Sequence, residues 1–213
     1  MLGGAIAVWN DMTDYLENGI SEYDVYDRLQ NAIPLFGAKL WGKGDKTLDQ
    51  ANSLRTTLGD APGTNFGYEA AKDENGMIAH YDLDNLDQLK DHENIELASL
   101  DSHDALRLLG NKSYATTSFS TVGLNNDLRV KVKRESSSEE EQILFESSYG
   151  SIKAVQKETG KVGLSRENHD YSFNYELPVN QWVELEFKNR KEVIDLYVNG
   201  QLVDTLGDDE QVS

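Results

Sequence analysis

The chain has no cysteine. Disulfide bridges, thiolate nucleophiles and cysteine-ligated zinc are thereby excluded. That absence fits either a cytosolic protein or one exported by a Gram-positive bacterium. There is no run of about 18 apolar residues, so no helical membrane span is expected. The N-terminus lacks the basic and apolar regions of a signal peptide. Cations are scarce: 20 Lys and Arg stand against 38 Asp and Glu, for a net charge of −18. Binding to a nucleic-acid backbone is therefore disfavoured, because affinity there comes from cations that neutralise phosphates. The acidity reads as solubility outside a cell. Hydrophobic residues make up 38% of the 213, enough for a core and for one large or two small domains.

The most legible stretch is WVELEFKNRKEVIDLYVNGQLVDTLG, from Trp182 to Gly207. Val183, Leu185 and Phe187 alternate with Glu184, Glu186 and Lys188, and Ile194, Leu196 and Val198 alternate with Asp195, Tyr197 and Asn199. That is the period of a strand with one dry face. Asn199-Gly200 is a strong two-residue hairpin signal, since a type I′ turn needs positive φ at both central positions. The expected register sets Val198 opposite Gln201 and Leu196 opposite Val203. Upstream, Met77–Leu83 reads as a first strand, and Asn85–Ser102 as a long charged surface excursion. Ala105–Leu109 and Ser113–Thr117 read as a hairpin about Gly110-Asn111. Leu128, Val130 and Val132 mark a strand with a basic outer face. SSSEEE, 136–141, reads as a solvated loop, followed by strands near 143–146, 151–155, 162–165 and 171–175. About ten or eleven short strands with frequent turns suggest an antiparallel sandwich.

The first sixty residues are different. LGGAIAVW, from Leu2 to Trp9, reads as a buried strand of the parallel kind. Ser21–Trp41 has helical spacing through Val25, Leu29, Ala32, Phe36 and Leu40, with Pro34 expected to kink or split it. Thr47-Leu-Asp-Gln50 has the form of a capping box, ahead of a helix ended by Gly59. One buried strand and a helix cannot make a domain, so the chain is expected to be part of something larger.

Two resemblances follow from these residues. Gln181-Trp182-Val183, LYVNGQLV and ALRLLGNKSYATT resemble the concanavalin-like, laminin-G type β-sandwich. LGGAIAVWND followed by YDVYDRLQNAIPLFGAKLWG resembles the last strand and helix of the catalytic barrel of β-N-acetylhexosaminidases, glycoside hydrolase family twenty. Gly3, Gly4, Trp9, Asp11, Pro34, Lys39, Leu40 and Trp41 carry that match. The fold class they imply is mainly β: a laminin-G-like antiparallel sandwich preceded by a helical segment that is the last βα unit of a TIM barrel. The implied layout is 1–60 barrel remnant and linker helix, 61–76 linker, 77–207 sandwich and 208–213 tail.

The resemblance implies that Trp9 forms part of an aromatic wall against an N-acetylhexosamine ring and that Asp11 accepts hydrogen bonds from its hydroxyls. It also implies substrate-assisted retaining hydrolysis, with an adjacent Asp-Glu pair on an earlier strand. Asp73-Glu74 and Asp209-Glu210 lie in polar stretches and read as solvated loops, so the chain alone is expected to be inactive. The implied partners are glycans with terminal N-acetylhexosamine and the rest of the barrel. The implied location is the outside or surface of a bacterium.

No cofactor is called for. Calcium held by Asp82, Asp84, Asp101 and Asp104 stands beside the plainer reading of a solvated acidic loop. His80, His92, His103 and His169 lack zinc-ligand spacing. Tyr149, His169, Tyr171, Tyr175 and Trp182 are the aromatic candidates for sugar contact within the sandwich, Trp182 being expected in the core. The alternatives are a standalone carbohydrate-binding or adhesion module and a structural spacer.

Overall fold

The computed structural model describes residues 4–9, 25–26, 28–29, 32–41, 47, 49–50, 53, 70–110, 112–117, 122–123, 125–147, 150–166, 168–190 and 193–207. The chain divides into two compact units, Met1–Gly67 with Leu124–Ser213, and Tyr68–Gly123. The described chain is mainly β, its named strands pairing antiparallel throughout.

In the first unit, strands β5 (Asn126–Lys133), β10 (Trp182–Asn189), β11 (Val193–Val198) and β12 (Gln201–Gly207) form one sheet in the order β12-β11-β10-β5. Strands β6 (Gln142–Glu146), β7 (Ser151–Val155), β8 (Gly163–Arg166) and β9 (His169–Ser172) form a second, in sequential order. Each sheet turns one face to a single hydrophobic cluster. Val183, Leu185, Phe187, Leu196 and Leu206 enter it from the first sheet, and Ala154, Val155, Val162 and Leu164 from β7, β8 and the residue before β8. Phe173 and Leu177, on the segment between β9 and β10, complete the centre. The Phe173 and Phe187 rings lie 6.0 Å apart at a 52° tilt, a favourable aromatic geometry. Two antiparallel sheets sharing one core are compatible with a β-sandwich. Each fully buried Phe or Leu there contributes roughly 2 kcal/mol of transfer free energy.

Strand β10 organises its sheet. Val183 pairs with Val132, Leu185 with Val130 and Phe187 with Leu128, so the dry face is continuous. On the opposite face Glu186 pairs with Arg129 and Glu184 with Lys131. The Arg129 Nη2 donates to Glu186 at 2.8 Å, which holds the guanidinium above its ordinary range. Trp182 lies on this face too, half-buried opposite Lys133 and beneath the Lys131 ammonium, 5.7 Å from the ring centre. It is therefore absent from the core cluster expected to hold it: an odd shift from Val183 puts it on the other side of the pleat.

The β11–β12 turn forms as expected, with Asn199 at φ 48° and Gly200 at φ 80°, and Val198 opposite Gln201. The next pair differs. Leu196 faces Asp204, not Val203, because the register shifts between Leu196 and Tyr197. The extra residue, Val203, forms a bulge. It returns Leu206 to the core, opposite Ile194.

The second unit differs from expectation more. Met77–Leu83 forms no strand. Asp73 folds the chain back through its own N–H to the Met77 carbonyl at 2.7 Å, and Leu83 sits at φ 59°, outside extended conformation. The region expected as a surface excursion holds strands β1 (Asp91–Glu93) and β2 (Ile95–Leu100). β2 pairs with β3 (His103–Leu108), and β1 with β4 (Tyr114–Thr116), so β3 and β4 are not hairpin partners. The β2–β3 turn is made by Asp101 and Ser102, both at positive φ, without a glycine to announce it. Asn94, at φ 54°, sits between β1 and β2 and donates through Nδ2 to the Leu109 carbonyl at 3.0 Å.

In the N-terminal region the helix α1 spans Ala32–Trp41, and residues 25–26 and 28–29 are also helical. Pro34 is the third residue of α1, within the first turn, where its missing N–H costs no intrahelical bond. The capping box is reciprocal: Thr47 N–H donates to Gln50 Oε1 at 3.1 Å, and Gln50 N–H to Thr47 Oγ1 at 3.3 Å. The buried strand expected over Leu2–Trp9 is not formed in its described part. Residues 4–9 are irregular and mostly exposed, since no strand among the described residues offers them a ladder. Gly4 nevertheless lies against α1. A Cβ there would stand 3.1 Å from the Phe36 ring and 3.4 Å from Leu40.

Gly200 carries a clean test of the hairpin. A methyl group at this position would meet nothing within 4 Å, so Gly200→Ala exposes the backbone cost alone. We expect a loss of about 1–2 kcal/mol in urea unfolding, with an unchanged m-value.

Candidate functional site

The second sheet has an unusual outer face. Alternation along β7, β8 and β9 turns Ile152, Leu164 and Tyr171 toward the core, with Ile152 and Tyr171 both paired to Leu164. The same alternation assigns Ser151, Lys153, Ser165 and Asp170 to the other side. Such a face normally meets water. Here Ser151, Lys153 and Ser165 are 5%, 1% and 2% exposed.

Lys153 is the centre. Its Nζ lies 2.7 Å from Glu141 Oε2 and 3.3 Å from Asp170 Oδ1. An ammonium so buried is tolerable only with paired, hydrogen-bonded counter-charges. The Ser165 hydroxyl donates to the same Asp170 oxygen. The carboxylates reach outward: the Glu141 and Asp170 side chains are 32% and 38% exposed. The Ser151 hydroxyl, paired across the ladder with Ser165, is buried without a hydrogen-bond partner among the described residues.

A second polar knot supports the first. Gln156 is fully buried, and its Nε2 donates to the carbonyls of Leu164 at 3.2 Å and Tyr171 at 3.1 Å. Its Oε1 accepts from the Ser172 and Thr159 hydroxyls. The turn is closed by Gln156 N–H to the Lys161 carbonyl and Gly160 N–H to the Gln156 carbonyl. Gly163 is the cradle for this amide, since a Cβ there would collide with the Gln156 amide and the Tyr171 carbonyl.

Chemically, the Lys153 cluster fixes two carboxylates about one ammonium and leaves part of each to solvent. Held against two carboxylates, Lys153 is a counter-charge, not an amine nucleophile. Among the described residues no three His, Cys, Asp or Glu side chains gather as a metal site.

The expected site residues are scattered. Trp9 is 79% exposed at the end of the 4–9 segment, and Asp11 lies outside the described residues. Asp73 Oδ1 accepts from the Asn75 N–H at 2.9 Å and the Met77 N–H at 2.8 Å. Those bonds, that from Met77 foremost, hold its carboxyl below the ordinary value of 3.8. Asp73 is thus a loop-closing residue. Asp209 and Glu210 lie outside the described residues. Asp82 binds His80 Nε2 at 2.9 Å, Asp84 accepts from Asn85, Asp101 shapes the β2–β3 turn, and Asp104 pairs with Ser99. His103 contacts the Asp101 carbonyl, and His92 sits in β1.

Of the aromatic candidates, Tyr149 lies outside the described residues. Tyr171 and Tyr175 pack against the core, and burial pushes the Tyr175 phenol up. His169 is exposed on β9, 6.5 Å from Tyr171. The Lys153 cluster was missed because Glu141 reads as the tail of a solvated run. The available signal was Lys153 itself, a lone cation inside the strand S-I-K-A-V.

A comparison with protein-family models finds no match, and a comparison with curated proteins finds none either.

Two outcomes follow from this geometry. Glu141→Gln combined with Asp170→Asn removes the two carboxylates described around a buried ammonium. We expect a loss of about 3 kcal/mol in denaturant unfolding, with Lys153→Met milder, since it removes the charge along with its need for partners. Asp73 has a depressed folded-state pKa, so the stability it lends is present above the unfolded value and lost as pH falls through the folded one. The Met77 amide resonance is expected to titrate with a midpoint below 3.8.

Proposed function

We propose that the chain is the C-terminal part of a bacterial β-N-acetylhexosaminidase of glycoside hydrolase family twenty. In this reading residues 4–9 and α1 belong to the last βα unit of the catalytic barrel. The two-sheet region is an accessory module of the laminin-G, concanavalin-like kind. The parent enzyme removes terminal N-acetylhexosamine by substrate-assisted retaining hydrolysis outside the cell or at its surface. The Asp-Glu pair for that chemistry lies on an earlier strand, so the chain alone does not hydrolyse glycosides.

The observation that carries the reading is the contact at Gly4. A glycine lies against Phe36 and Leu40 of α1, five residues before an exposed tryptophan. A strand and helix of a barrel pack in that way, with the residue at the strand's C-terminal end free to face a ligand. Ile6, Trp9, Ile33 and Trp41 are 42%, 79%, 47% and 85% exposed, an apolar surface suited to neighbouring barrel elements.

The test is Trp9→Ala in the enzyme with its upstream barrel. Loss of an aromatic face worth about 1.4 kcal/mol corresponds to a tenfold drop in kcat/KM on an aryl N-acetyl-β-glucosaminide. Unchanged hydrolysis overturns the role of Trp9. Activity in the isolated chain overturns the assignment of the catalytic pair to the missing barrel.

A further inference from the structure

Independently of the glycan reading, we propose that Asn75-Gly76 is a site of spontaneous deamidation, and that the fold shields Asn199-Gly200 from the same reaction. The sequence holds a third such pair, Asn18-Gly19, outside the described residues. An asparagine followed by glycine favours this chemistry, because no Cβ crowds the attacking nitrogen. The glycine amide gives its proton to solvent base, and its nitrogen attacks the asparagine Cγ. The N–Cγ bond forms, the Cγ–Nδ2 bond breaks, and Nδ2 takes a proton from water to leave as ammonia. Water then opens the cyclic imide at either carbonyl, leaving aspartate or isoaspartate.

The two described pairs are identical in residue type and differ in how they are held. Asn199 is clasped twice to β10: its N–H donates to the Glu184 carbonyl at 2.8 Å, and its Oδ1 accepts from the Glu184 N–H at 3.0 Å. The carbonyl that would be attacked is therefore pinned. Opening this turn also disturbs the hairpin that carries Leu196 and Leu206 into the core. Asn75 is held far less. Residues 71–77 are all exposed. The Asn75 side chain makes one long contact, Nδ2 to Asp73 Oδ2 at 3.5 Å. Asp73 holds the turn: its carbonyl accepts from the Gly76 N–H at 3.0 Å, and its Oδ1 from the Asn75 and Met77 N–H groups at 2.9 and 2.8 Å. Freeing the Gly76 nitrogen thus breaks the bonds to Asp73 and no core contact. The product adds a carboxylate beside Asp73 and, as isoaspartate, lengthens the backbone inside the turn. Both act against the Asp73 clasp, so the conversion is a one-way release of this turn.

The experiment incubates the full chain in warm, mildly alkaline buffer, folded or in urea. Peptides holding Asn75 and Asn199 are then followed by mass spectrometry with isoaspartate detection. We expect Asn75 to convert about tenfold faster than Asn199 in the folded chain, and the two rates to converge in urea, where neither turn persists. Asp73→Ala is expected to speed conversion at Asn75 about tenfold. An unchanged rate at Asn199 in that variant verifies that the fold persists. Equal rates in the folded chain, or faster conversion at Asn199, overturn the shielding. A folded Asn75 that persists while the chain in urea converts overturns the site. An unchanged Asn75 rate in Asp73→Ala overturns the role of the clasp.

Discussion

A strand with one dry face can occupy its sheet in only one register, because a slip of one residue would turn every core side chain to water. Strand β10 imposes this constraint on the first unit. Val183, Leu185 and Phe187 must all point inward, so Val132, Val130 and Leu128 of β5 must stand opposite them. On the other flank, Leu196 of β11 is held opposite Phe187. The charged ladder on the outer face follows from the same register. Glu186 meets Arg129 because Leu185 and Phe187 on either side are committed to the core. The ion pair decorates a register already fixed by burial, as expected for contacts whose cationic side chain is largely exposed.

The second sheet obeys a different rule. Its core face is ordinary, but its outer face combines burial with polarity, and there each group must find a partner. Gln156 does so with two backbone carbonyls and two hydroxyls, and Gly163 is required because any side chain would occupy the space of the amide. Lys153 does so with two carboxylates. Networks of this type cost more when incomplete than an apolar surface would, so the turn after β7 and the approach to β6 are tied to the sheet by necessity.

Much of the first unit was legible from residue order. Alternation located β5, β10 and β11, Asn199-Gly200 located the hairpin from β11 to β12, and Thr47 with Gln50 announced a reciprocal cap. The misses have physical causes. Local alternation cannot foresee the bulge at Val203, which is needed to bring Leu206 back to the core. The pairing of β2 with β3 was hidden by a turn of Asp101 and Ser102, which adopt positive φ without glycine. Asn94 likewise decouples β1 from β2 through a conformation that sequence signals only weakly. At the polar face, run composition misled: Glu141 closes an acidic run, yet the fold uses it on a lysine buried twelve positions later. Trp9 and Asp11 came from family resemblance, and of the two only Trp9 falls among the described residues.

The bulge in β12 has a consequence beyond register. β12 ends its sheet in the observed order, and Leu202 and Val203 are 55% and 39% exposed there. A flat terminal strand carrying two bare aliphatic side chains would be a template for fibre growth, since its free N–H and C=O groups invite another chain to dock in register. The extra residue breaks that repeat at the aliphatic pair itself. An incoming strand could match the hydrogen bonds on one side of Val203 or on the other, but not both. The distortion that brings Leu206 home therefore also spoils the edge as a seed for aggregation.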